Sequence, residues 1–96
     1  MKELPIPDAA RKDSNSVEVL RAWIAHNQQH ISLNTGVWDD PAVWGIFLVD
    51  LARHLANAYQ QEHGMDFNGT VARIKWAFDA EMNSPTDFPR GSIREN

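Results

Sequence analysis

The sequence predicts a small α+β domain in two layers, with an antiparallel hairpin packed on two antiparallel helices. Three observations predict it. Residues 41–63 carry one long helical pattern with clear start and stop signals. Residues 68–83 carry a second, shorter one. Residues 17–33 are rich in side chains that favour strands.

The long helix organises the rest. Asp40 can accept the orphan N–H groups of a first turn. Pro41 suits the first helical position, where a missing N–H costs nothing. Gly64 can adopt the left-handed conformation that closes a helix. At 100° per residue, Trp44, Phe47, Leu48, Leu51, Leu55, Ala58 and Tyr59 fall in one stripe. Asp50, Arg53, Asn57, Gln60 and Gln61 fall on the far side. Ile46 and Val49 also lie away from the stripe, so the first half of the helix is apolar nearly all round. Such a helix needs cover on more than one side.

The remaining elements follow in chain order. Residues 1–16 combine two prolines with a polar run and read as an extended arm, or as a frayed terminus. In residues 17–33, Leu20, Ala22 and Ile24 would share one strand face, with Val19, Arg21 and Trp23 on the other. His26 to Gln29 would form the turn and His30 to Leu33 the return strand. A helix from Val17 is the competing reading, because Ser16 could cap it and Val17, Leu20 and Ile24 also fit helical spacing. The second helix starts near Asp66 or Asn68, and Phe67, Val71, Ile74, Phe78 and Met82 form its stripe. Trp76 lies opposite. Ser84-Pro85 stops the helix, and residues 84–96 form an extended tail.

Composition narrows the class. At 96 residues the chain is one domain. A chain this long can bury roughly 60–65 % of its unfolded surface, enough for a core without staples. Cysteine is absent, which excludes disulfides, thiolate zinc sites and thiol nucleophiles. The first residues lack the apolar run of a signal peptide, and Val43 to Val49 is too short to span a bilayer. The expectation is a cytoplasmic protein that does not enter membranes. A net charge of −4 argues against nonspecific nucleic-acid binding, which needs a basic face.

Val37-Trp38-Asp39-Asp40-Pro41-Ala42-Val43-Trp44-Gly45, followed by Leu48-Val49-Asp50-Leu51-Ala52-Arg53-His54, resemble a small bacterial family described only as a domain of unknown function. Phe78-Asp79-Ala80-Glu81 with Pro85-Thr86-Asp87 is similar to its ending. The likeness runs from Leu4 to about Asp87. It implies no activity, but it does imply strands in residues 17–33.

Few side chains could carry chemistry. Asp50 and His54 stand four apart on the long helix and are surface neighbours. A carboxylate that orients an imidazole serves general bases and metal ligands. The competing reading is an ordinary helix surface pair joined by Arg53. His26, His30, His54 and His63 show no metal-binding spacing, so no metal or other cofactor is expected. Asp39 and Asp40 are explained by the helix start. Four tryptophans are many for this length, and tryptophan is enriched at interface hot spots. Trp44 reads as core and Trp38 as a lid on the helix start. Trp23 and Trp76 lie off the stripes, as do Ile46 and Val49. These four, with Trp38, are the candidate partner or ligand surface, unless Ile6, Phe88 and nearby prolines cover Trp23 and Trp76.

The leading expectation is a homodimeric interaction or regulatory module without catalysis. A two-stranded sheet leaves open edges, and a symmetric dimer would cover them or the excess apolar face. The alternative is a small enzyme or small-molecule-binding protein with a pocket near Asp50, His54 and Trp38.

Overall fold

A computed structural model describes residues 1–84 and 93–95. These fall into two compact units. The first holds residues 1–37 together with a C-terminal strand, and the second runs from Trp38 through the last helix. An antiparallel hairpin and two main helices make this a small α+β fold.

The first unit begins with the arm. It is extended except for one helical turn, α1 (Asp8–Lys12). The sequence reading had no helix here. Pro7 starts the turn, and its carbonyl accepts from the N–H groups of Ala10 and Arg11. Arg11 pairs with Asp8 one turn earlier. The Ser16 hydroxyl donates to the Ala10 and Asp13 carbonyls at 2.7 and 2.8 Å, so it closes α1 rather than opening a helix at Val17.

The hairpin follows as β1 (Leu20–Ala25) and β2 (Gln28–Leu33). Leu20 pairs with Leu33, Ala22 with Ile31 and Trp23 with His30. This ladder rules out the competing helix. Directly paired residues share a face. Leu20, Ala22, Ile24, Ile31 and Leu33 therefore line one side, as the alternation predicts. The turn is tighter than the expected His26–Gln29. It consists of His26 and Asn27 alone, at φ 53° and 59°. Two successive left-handed residues form the turn whose twist matches that of the flanking strands. Asn tolerates that conformation better than most residues. Gln28 and Gln29 therefore lie in β2 with His30, not in the turn. The His30 Nε2 sits 3.1 Å from the Ala25 carbonyl, which can only accept, so Nε2 carries the proton in that bond. A third strand, β3 (Ile93–Glu95), runs parallel to β2, with Ile31 opposite Ile93. The sheet order is β1-β2-β3, which leaves β1 at an edge.

The second unit is a helical hairpin. Its long helix, α2, spans Ala42–His63. Pro41 already has helical dihedrals, φ −56° and ψ −22°. Asp40 is therefore the physical cap, and its carboxylate accepts the Ala42 N–H at 2.9 Å. Gly64 ends α2 in the left-handed conformation, φ 68° and ψ 18°. Its N–H donates to Gln60 at 3.0 Å, and the next N–H, of Met65, reaches the Tyr59 carbonyl at 3.4 Å. The Gly64–Gln60 bond is that of the simpler left-handed closure, with glycine supplying the residue at positive φ. The last helix, α3, spans Phe67–Asn83. Asp66 caps it by accepting the Gly69 N–H at 2.8 Å. A loop this short makes α2 and α3 antiparallel neighbours. No helix among the described residues is long and apolar enough to cross a membrane.

Candidate functional site

The start of α2 carries an aromatic cluster. Trp38, just before the helix, meets Trp44 edge-on at 5.0 Å between ring centroids. Phe47 lies 5.9 Å from Trp38 and 5.8 Å from Trp44. Offset and edge-on rings at these distances attract beyond their buried area. The Asp40–Pro41 cap sets where α2 begins, and so brings positions 44 and 47 beneath Trp38. Trp38 acts as the lid that its position predicts, and it is half-buried.

Asp50 and His54 lie on α2 one turn further on, and both are exposed. Among the described residues, no hydrogen bond or ion pair joins them. Proximity on the helix surface is what the spacing determined; a fixed carboxylate–imidazole contact is not present. Among the described residues, no group of three His, Asp or Glu side chains gathers into a metal-binding cluster.

The candidate surface residues are placed differently from one another. Ile46 and Val49 are 64 % and 50 % exposed on α2. Trp76 is 61 % exposed on α3, and the Arg73 guanidinium lies over its ring at 4.6 Å. That contact satisfies one face of the indole without burying it. Trp23 belongs to the hairpin unit and is half-buried. It lines a cleft of about 620 Å³ between the arm and β1, with Leu4, Ile6 and Leu20 among the other walls. Ile6 lines the same cleft as Trp23 and is itself 53 % exposed. Phe88, the other expected cover, lies outside the described residues. Asp50, His54 and Trp38 do not line this cleft.

A polar cluster that the sequence reading missed borders the same cleft. Arg21 of β1 donates to both Glu18 carboxylate oxygens at 3.1 Å and to Glu3 at 2.9 Å. The hydrogen bonds that Arg21 donates to Glu18, then the Glu18 charge, with Glu3 adding, hold the guanidinium above its ordinary pKa; desolvation opposes this. Arg21 therefore carries its charge at every ordinary pH. All three side chains are open to solvent, so salt weakens the cluster. The Glu18–Arg21 half has the i,i+3 spacing of a local signal. Glu3 lies 18 residues from Arg21, and no local pattern reveals that contact.

A larger omission concerns burial. Among the described residues only Ala56 is fully buried. The stripe of α2, read as core, remains open: Leu48, Leu51, Leu55 and Tyr59 are each between 37 % and 45 % exposed.

Comparison with known proteins agrees with the resemblance noted at residues 37–54. Among curated proteins no sequence matches the chain. It is similar to a solved structure from the photosynthetic bacterium Rhodopseudomonas palustrus, described as a presumed pyruvate dehydrogenase. The two share 33 % identity at a TM-score of 0.74, over 96 % of this chain and 94 % of that one. The family model for a domain of unknown function, DUF5076, matches residues 3–86, and the chain belongs to that family.

Proposed function

We propose that the chain is a small interaction or regulatory module that works as a homodimer and performs no catalysis of its own. The observation that carries this reading is the open apolar surface of α2 and α3, on which Ile46, Val49 and Trp76 are at least half exposed. Large apolar surface is uncommon on soluble monomers and usually belongs to a contact. The pyruvate dehydrogenase description belongs to the neighbouring structure. Asp50 and His54 stand on an open surface here, where a proton-transferring pair would gain nothing from excluded water.

Light scattering across a micromolar dilution series tests the reading. The expected mass is twice 10.9 kDa, falling on dilution. A mass of 10.9 kDa at every concentration overturns it.

A further inference from the structure

We infer that the N-terminal arm is a salt-sensitive strap along β1: Glu3 latches it to Arg21, and its release uncovers Trp23 together with the open backbone edge of that strand.

The register sets the edge. The Asn34 N–H donates to the Val19 carbonyl at 3.0 Å. Arg21 and Trp23 stand opposite Ser32 and His30. In an antiparallel pair, residues that exchange main-chain bonds alternate with residues that do not. Val19, Arg21, Trp23 and Ala25 therefore turn their main-chain groups toward β2, and Leu20, Ala22 and Ile24 turn theirs outward. β1 lies at the edge of the sheet, so no further strand of the described residues meets those outward groups. An open edge invites pairing with another chain, and proteins commonly cover it.

The arm lies against this strand. Residues 2–7 line one cleft with residues 20–23. Yet the arm does not join the sheet. Among the described residues, no main-chain hydrogen bond links residues 1–7 to β1. Pro5 and Pro7 have no N–H to donate, which suits a cover better than a paired strand. The tie is instead Glu3, whose carboxylate accepts from Arg21 at 2.9 Å. Arg21 and Trp23 share a strand face, so the latch holds the arm beside the indole.

This tie is weak. Leu4 is 87 % and Ile6 53 % exposed, so apolar packing of the arm adds little. A chain end is ordered only where something ties it down. The Glu3–Arg21 pair is open to solvent on both sides. A pair of that kind changes an equilibrium by at most about fivefold. At 1 M salt, screening acts over roughly 3 Å and removes most of the attraction. The strap is thus closed by a contact that opens reversibly.

Nuclear magnetic resonance on the full isotope-labelled chain tests the inference. The readouts are the Trp23 indole N–H and the order parameters of the Glu3, Leu4 and Ile6 amides, with the hairpin amides reporting that β1 and β2 stay paired. Raising salt to about 1 M should shift the wild-type indole signal and lower the arm order parameters. Glu3→Gln and Arg21→Gln should show those values already at low salt and respond little to more, a fall of about two- to fivefold in the closed-to-open ratio. The exchange Glu3→Arg/Arg21→Glu should restore the closed values, because opposite charges again face each other. Glu3→Gln lies outside every helix and strand, so loss of fold does not confuse its result. Identical indole and arm signals in wild type and Glu3→Gln overturn the strap. So does a charge exchange that leaves the arm open.

Discussion

The hairpin unit and the helical unit are ordered by different kinds of interaction. Residues 20–33 are held by a backbone ladder closed with a two-residue turn, and β3 extends the sheet through further main-chain pairing. Its side chains are mostly half-buried or exposed, and the ladder does not depend on them individually. The helical unit has strong local signals at its ends, including two caps and a left-handed glycine closure. Yet its apolar stripe stays open along Leu48, Leu51 and Leu55. Caps and periodicity make helices, but they do not supply the surface that buries them, and most helical stability comes from that burial.

Three substitutions sharpen the contrast, from the largest expected effect to the smallest. Ala56→Leu adds bulk at the one fully buried position of the described residues. Overpacking there should cost about 1–3 kcal/mol, a fall of several degrees in Tm by calorimetry at fixed concentration. An unchanged Tm would mean that α2 can shift to make room and that its packing is loose.

Gly64→Ala tests the local side of the same unit. A Cβ at position 64 meets no heavy atom within 4 Å, so the cost is purely that of φ +68°. A loss of about 1 kcal/mol in denaturant melts is expected. A loss well above that would show that the turn also positions α3.

Asn27→Gly addresses the hairpin. Glycine takes the left-handed conformation at φ 59° without strain and is preferred at the second position of this turn. A gain of about 0.5 kcal/mol is expected, read as a higher denaturant midpoint at unchanged m-value. If the midpoint does not move while hairpin amides gain exchange protection, the sheet opens separately from the helices.

Much of this architecture was legible in the sequence because its signals are local. Asp40-Pro41 marked the start of α2 and Gly64 its end, and of the two candidate caps for α3, Asp66 and Asn68, the structure uses Asp66. In each case a side chain or a special backbone conformation satisfies groups within four residues. Alternation in residues 20–25 gave the sheet faces for the same reason. The turn was read two residues too long because Gln28 and Gln29 are polar and poor strand signals, and only their pairing with Ala25 and Ile24 puts them in β2. The neighbourhood of Asp50 and His54 was legible as well, but not the absence of a contact between them, which depends on rotamers.

The sequence by itself determined the two helices, the hairpin and which side chains are apolar on each face. The tertiary structure alone decided what those faces meet. The parallel pairing of β3 with β2 joins residues some 60 positions apart, and the Glu3–Arg21 contact joins an arm to a strand. The stripe read as core is half open for the same reason: periodicity says that a face is apolar, while burial requires a second surface, and that surface is not written in the helix that needs it.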